Sequence, residues 1–164
     1  MIVGTPGSGK STLARQLGAR LGLPVVHMDR EVHWLPGWVE RDRTEKLPIV
    51  ERIIARDAWV FEGGHSDSYS QRLARAQMLI WTDAPLPLRL WRVTRRAITG
   101  LGRTRPDLAD DCPERLRGLP ELWRYMLTSN RRSAARLRAL FDAADIPKHR
   151  LRSLRAIDTF LKEI

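Results

Sequence analysis

Three observations predict an α/β fold in which a parallel sheet is covered by helices on both faces. Short apolar runs alternate with longer stretches of helical periodicity, a glycine-rich turn joins the first run to the first such stretch, and no apolar run nears the ~20 residues that span a bilayer.

Taken in order, Met1-Ile2-Val3 reads as the end of a first strand. It is short of the about five residues usual for a buried strand, so residues upstream of Met1 are expected, and nothing before Gly4 reads as a signal peptide. Leu13, Ala14, Leu17 and Leu21 then recur at helical spacing, with Gly22 as the stop. Pro24-Val25-Val26-His27-Met28 is a second buried strand ending at Asp29, and residues 30–40 are irregular, rich in Trp34, Pro36, Gly37 and Trp38. A helix over 43–56 carries Leu47, Val50, Ile53 and Ile54 on one face. Ala58-Trp59-Val60-Phe61 is a third strand running into Glu62-Gly63-Gly64-His65. A short helix near 67–74 precedes a fourth strand, Met78-Leu79-Ile80-Trp81, closed by Thr82-Asp83. There follow a helix over 86–101, a loop over 102–118, and a long helix over 119–143 expected to bury Trp123, Met126, Leu127, Ala134, Leu137 and Phe141. A strand near 148–153 and a helix over 154–163 end the chain. No repeat, low-complexity tract or linker divides it, so residues 1–164 form one domain.

The chain of 164 residues is 43% hydrophobic and 29% charged, the balance of a folded domain large enough to bury its own core. Its single cysteine, Cys112, cannot close an internal disulfide, which points to a reducing compartment and a cytoplasmic protein. The formal net charge is +10, and the only lysines are Lys10, Lys46, Lys148 and Lys162. Arginine contacts phosphate oxygens bidentately, so a polyanionic ligand is expected. ATP with a second phosphorylated molecule would satisfy this, as would a nucleic acid; a GC-rich genome writing arginine for lysine is the alternative without functional meaning.

Gly4-Thr5-Pro6-Gly7-Ser8-Gly9-Lys10-Ser11 has the spacing of a P-loop and sits between strand and helix, as that motif requires. Its glycines let successive N–H groups face phosphate oxygens, and the helix opening at Lys10 and running through Thr12 adds its positive dipole end. Lys10 is expected on the β- and γ-phosphates and the Ser11 hydroxyl on Mg²⁺, making ATP and Mg²⁺ the expected cofactors. Chance alone yields this spacing in roughly one such chain in a hundred, so phosphate binding prevails over an ordinary turn.

Between Ala84 and Pro106 stand Arg89, Arg92, Arg95, Arg96, Arg103 and Arg105 without one acidic residue. Like charges at helical spacing repel, so this stripe reads either as a lid that meets a triphosphate, with Arg96, Arg103 and Arg105 in contact, or as a solvated basic face. Asp29 and Glu62 stand past strands two and three, on the edge where ligands of open α/β sheets bind. A carboxylate there can hold Mg²⁺ through water, or take the proton of an acceptor hydroxyl; the alternative is a cap or a loop salt bridge. His27 shares a side with Asp29, and core packing is weighed there against catalysis. Trp34 and Trp38 could stack on a base, close an acceptor pocket or simply pack. His33, His65 and Cys112 lack metal-ligand spacing.

Across nearly its whole length the chain resembles the bacterial adenylate-kinase-like proteins known as DNA topology modulation proteins, of the nucleoside monophosphate kinase group. The P-loop, His27-Met28-Asp29, Trp34 with Pro36-Gly37-Trp38, Trp59-Val60-Phe61-Glu62-Gly63, Arg72, Arg103-Thr104-Arg105-Pro106-Asp107 and Cys112-Pro113-Glu114 carry the resemblance. It implies a P-loop NTPase fold with a five-stranded sheet in the order 2-3-1-4-5, an acceptor-binding segment over 30–57, and a mobile arginine-rich lid over 102–118. It also implies Arg72 on the acceptor side and Arg105 in the lid, and the Arg105-Pro106 pair is similar to the lid motif of shikimate-kinase-like enzymes. Where the family reads Asp-Gly-Asn-Tyr this chain has Glu62-Gly63-Gly64-His65, so the usual acceptor contacts do not carry over.

The expectation is a small-molecule kinase moving the γ-phosphoryl of ATP to a nucleotide, nucleoside or similar hydroxyl acceptor. Lys10, Arg96 and Arg105 would stabilise charge, Arg103 and Arg152 would help hold the nucleotide, and Ser11, Asp29 and Glu62 would serve the metal. Asp29, Trp38, Gly63 and Arg72 would face the acceptor, with Arg41 or Arg43 on any acceptor phosphate. No membrane partner is expected, and the chain is expected to be a monomer or weak dimer. A nucleic-acid-associated ATPase, using Arg131, Arg132, Arg136 and Arg138, and an ATP-binding regulator with little turnover are the alternatives.

Overall fold

The computed structural model describes residues 1–164. Along the chain run β1 (Ile2–Gly4), α1 (Lys10–Leu21), β2 (Val25–His27), a π-helical turn (Asp29–His33), β3 (Trp34–Leu35), β4 (Val39–Glu40), α2 (Arg43–Ile54), β5 (Val60–Glu62), a 3₁₀ turn (Ser66–Ser68) and α3 (Tyr69–Arg75). After these come β6 (Leu79–Thr82), α4 (Leu86–Thr99), a second 3₁₀ turn (Leu116–Gly118), α5 (Leu119–Ala143), β7 (Lys148–Leu151) and α6 (Leu154–Glu163). Five strands form a parallel sheet in the order β2-β5-β1-β6-β7. The labels depart from 2-3-1-4-5 because β3 and β4 intervene as a separate antiparallel hairpin, in a stretch expected to be irregular.

Side-chain alternation in β1 shows how the layers form. Ile2 joins Leu13, Ala14 and Leu17 of α1 and Phe160 of α6 on one side of the sheet. Val3 joins Leu79, Trp81 and Leu137 of α5 in a second layer. A third cluster packs Val26, Met28 and Phe61 against Val50, Ile53 and Ile54 of α2. Strands buried on both faces must be apolar throughout, which is why each was visible as a run. Gly22 ends α1 in the left-handed conformation, and Asp42 and Ser153 cap α2 and α6 by accepting from Thr44 N at 2.8 Å and Ala156 N at 3.1 Å.

The expected burial on α5 needs correction. Met126 and Leu137 are buried and Phe141 is partly so, but Ala134 is exposed, as are Trp123 and Leu127 at 41% and 56%. These last two line an open apolar groove of about 260 Å³ with Leu90 and Trp91 of α4. A helix of 25 residues is about 37 Å long, whereas a four-residue strand such as β6 covers only about 13 Å, so part of α5 projects past the sheet.

Gly63 sits where β5 leaves the sheet, with φ +122, and a Cβ there would lie 2.3 Å from Met28 Cβ. Gly63→Ala is therefore expected to destabilise the fold by about 2–3 kcal/mol, through positive φ and overpacking together, read as a lowered midpoint in urea.

Candidate active site

The glycine-rich loop is held from two sides. Ser8 Oγ and Thr82 Oγ1 are 2.7 Å apart, and Thr82 Oγ1 donates to Val3 O at 3.3 Å, which fixes the loop to β6 and β1. Gly7 has φ +75, and a Cβ there would lie 2.7 Å from Arg89 O, so only glycine lets the loop pass this close to α4. Arg92 Nη1 donates to Gly7 O at 3.4 Å. Gly9, also left-handed, is the N-cap of α1, and Lys10 Nζ donates to Thr5 O at 3.3 Å.

Three carboxylates surround the opening of α1. Asp29 begins the turn after β2, reached by solvent but hemmed in by protein. That enclosure raises its carboxyl above the usual range, and Glu62 reinforces the rise, while Lys10, His33 and Arg105 oppose it. Glu62 is buried at the end of β5. Its burial alone would raise its pKa, but a 2.8 Å bond to His27 Nδ1, together with Lys10 and Ser11, holds it below the ordinary value. Asp107 comes from the lid and is also buried. Burial again opposes ionisation, and Arg105 and a hydrogen bond with Ser11 prevail to lower its pKa. Ser11 thus helps hold both Glu62 and Asp107 ionised, and His27 orients Glu62 through the 2.8 Å bond rather than merely filling the core.

No three His, Cys, Asp or Glu side chains converge as a metal cage. Mg²⁺ carried with a nucleotide needs only one or two protein oxygens beside phosphate and water, and the Ser11 hydroxyl with Glu62, Asp107 and nearby Asp29 fits that hard-oxygen chemistry.

Residues 102–118 pack onto the β3–β4 hairpin. Trp34 and Trp38, edge to face at 5.2 Å, cover Leu108, Ala109 and Cys112. Trp38 takes φ +65, rare for a bulky residue, and is held by Nε1 donating to Pro113 O at 2.9 Å and its backbone N donating to Cys112 Sγ at 3.2 Å. Gly37 N donates to Asp111 O at 3.0 Å, and Arg30 Nη1 donates to Pro106 O at 3.1 Å. The aromatic pair therefore joins the β3–β4 hairpin to residues 102–118.

The arginine stripe is not uncompensated. Arg96 Nε and Arg105 Nε lie 2.8 Å and 2.7 Å from the same oxygen, Glu114 Oε1, and Arg105 also pairs with Asp107. Both acidic partners lie beyond the stretch that contains the arginines. Arg89 is buried, donating to Ala84 O at 3.0 Å and to Asn130 Oδ1, so it ties α4 to α5. Arg103 is exposed, and Arg152 is exposed beside β7, with Nε 3.8 Å from the Asp83 carboxylate that Arg150 also pairs with.

Arg72 lies inside the protein, not on the cleft wall. It is 0% exposed, donates to Gly63 O at 2.9 Å and Phe61 O at 3.1 Å, and stacks 4.2 Å over the Phe61 ring. Arg41 donates to Val32 O at 3.2 Å and pairs with Glu45, and Arg43 pairs with Asp67 at 2.9 Å. Gly63 contributes its carbonyl and its tight passage past Met28. The sequence reading missed Asp107, Glu114 and the Ser8–Thr82 tie; the Asp107 and Cys112-Pro113-Glu114 segments carried the only signal, as matches without assigned roles.

A family model described as an AAA domain matches residues 1–100, more than half of the chain. No curated protein matches it in sequence. Among solved structures, it is similar to shikimate kinase from Acinetobacter baumannii in complex with shikimate, at 18% identity and TM-score 0.59, covering 99% of this chain and 88% of that one. It is also similar to shikimate kinase from Aquifex aeolicus, at 17% identity and TM-score 0.53, covering 99% and 92%. At these identities the likeness is one of fold.

Proposed function

The chain belongs to the AAA domain family, and we propose that it is an ATP-dependent small-molecule kinase. The reading rests on one observation: the glycine-rich loop, pinned to β6 through Ser8 and Thr82, leads into α1 at Lys10, and the chain also brings Arg96 and Arg105 together on Glu114. In the proposed reaction an acceptor hydroxyl oxygen bonds to the γ-phosphorus as the bond to the ADP oxygen breaks, and the hydroxyl proton passes to Asp29. Lys10, Arg96 and Arg105 face the charge that develops on the transferred phosphoryl. Mg²⁺, held by Ser11 with Glu62, would neutralise phosphate charge, and Asp29 would reach it at most through water. Arg103 is exposed, and Arg152 is exposed and held only loosely by Asp83 at 3.8 Å, so both can turn to the nucleotide. Arg72, Arg41 and Arg43 are already engaged, which favours an acceptor that offers a hydroxyl without a phosphate of its own. The resemblance to DNA topology modulation proteins fits this activity if altered topology follows from changed nucleotide pools. A cytoplasmic location accords with the single reduced cysteine, and no helix is long and apolar enough to cross a membrane.

Exposed Arg131, Arg132, Arg136 and Arg138 on α5 favour a second reading, a nucleic-acid-associated ATPase. The test is ADP release from ATP–Mg²⁺ over nucleosides, nucleoside monophosphates, shikimate, gluconate and duplex DNA. One small acceptor raising turnover by orders of magnitude is expected; stimulation by DNA alone, removed by salt, would overturn the kinase reading. With that acceptor, Asp29→Asn should lower kcat by about 10²-fold. It should also erase the acid limb of the pH profile, which in the unsubstituted protein lies above the usual carboxylate range because the Asp29 pKa is raised.

A further inference from the structure

Glu114 is set where the two halves of the 102–118 loop, joined by isolated bridges, meet the end of α4. Its backbone N donates to Arg103 O at 3.0 Å, its carbonyl accepts from Gly102 N at 3.0 Å, and its Cγ would be 3.4 Å from a Cβ on Gly100. Its side chain is 8% exposed, and a single oxygen, Oε1, serves both Arg96 and Arg105. Two guanidinium groups drawn this close repel each other, and one carboxylate between them offsets that repulsion. Both are ion pairs by proximity at Nε, and neither completes a hydrogen bond, since Arg96 Nε, Arg105 Nε and Glu114 Oε1 are buried without a hydrogen-bond partner. Arg96 therefore keeps its terminal nitrogens, and Arg105 keeps Nη2, since Nη1 pairs with Asp107. Asp107 differs from Glu114, because Ser11 at the opening of α1 helps hold its carboxyl ionised. Phosphate and metal arriving at Ser11 would act on Asp107 as well, whereas Glu114 is almost fully enclosed and paired with both arginines.

We propose that Glu114 is a positioning residue that holds Arg96 and Arg105 side by side, with their terminal nitrogens turned to the γ-phosphate of ATP. The inference rests on the kinase reading only for the place of the phosphate; it needs no acceptor. Its consequence is a preference for ATP over ADP that depends on the Glu114 charge.

The test is calorimetric titration of ATP–Mg²⁺ and ADP–Mg²⁺ into the unsubstituted protein, Glu114→Gln, Arg105→Met and the double variant, with urea midpoints measured for each. Glu114→Gln should weaken ATP by about tenfold and leave ADP within about twofold, because the negative charge that offsets the two guanidinium groups is lost on the γ-phosphate side alone. Arg105→Met should lower ATP affinity similarly, and adding Glu114→Gln to it should cost less than it does alone, since the two act as one unit. If Glu114→Gln weakens ATP and ADP equally, or adds its full effect in the Arg105→Met background, Glu114 is a structural carboxylate and the proposal fails. Should Glu114→Gln fail to fold, Glu114→Asp keeps the charge but falls short of bridging both Nε atoms, and an unchanged ATP-to-ADP ratio there overturns the proposal equally. Absence of nucleotide binding in the unsubstituted protein overturns this proposal and the kinase reading together. Absence of any acceptor with the ATP preference intact overturns only the kinase reading.

Discussion

Lys10→Ala is expected to cut acceptor-dependent ADP formation by about 10³-fold or more and to abolish stabilisation by ATP–Mg²⁺. Lys10 opens α1, so its cation adds to the helix dipole at the place where loop N–H groups already point. It also lowers the pKa values of both Asp29 and Glu62. Removing it leaves two carboxylates facing an incoming triphosphate with a compensating cation gone, so binding and turnover fall together. The fold should survive, because Lys10 makes only one 3.3 Å hydrogen bond to protein and no core contact. The check is paired: steady-state ADP formation, and thermal midpoints with and without ATP–Mg²⁺. A ligand at a hundred times its Kd stabilises by about 2.7 kcal/mol, a shift easily seen. A variant that still gains stability from ATP but does not turn over would confine Lys10 to the transition state. One that turns over normally would remove the glycine-rich loop from the reaction.

What could be read in advance divides by range. The P-loop spans eight consecutive residues, and the sheet strands are apolar on both faces, so local spacing exposes both. The β3–β4 hairpin has two-residue strands, too short for any period, and its turn is secured by the lid through Trp38 and Gly37. Nothing within residues 30–40 could announce that. The arginine stripe misleads for the same reason. Charge compensation comes from Asp107 and Glu114 across a fold of the chain, so a window rich in arginine looked unbalanced when the folded lid is not. Trp123 and Leu127 had core spacing on α5 but line an open groove beside Leu90 and Trp91 of α4 instead of a closed core. Periodicity reports which face of a helix is apolar, not whether a partner exists along its whole length.

Arg72 is where family resemblance and burial diverge most, and Arg72→Leu separates them. The guanidinium is wholly buried without a carboxylate partner, and burial lowers its pKa to about 10, although Tyr69 and Glu62 favour the charge. A base whose folded pKa is depressed weighs against folding wherever it stays charged, here at every pH below about 10. That cost must be exceeded by the bonds to Phe61 O and Gly63 O and the stack on Phe61. Leucine removes the desolvation cost but orphans two carbonyls at the mouth of β5 and leaves space where the guanidinium lay. The expected net loss is about 2–4 kcal/mol, a large share of a typical 5–15, measured as a lowered urea midpoint at unchanged slope. Arg72→Lys should recover little, since a single ammonium cannot reproduce a planar group bonded to two carbonyls and stacked on a ring. If Arg72→Leu keeps its midpoint but loses activity, the carbonyls had other partners and Arg72 swings out to the acceptor, as the resemblance implies. If stability falls and the surviving folded fraction turns over at the normal rate, Arg72 builds the floor of the site and never meets the substrate.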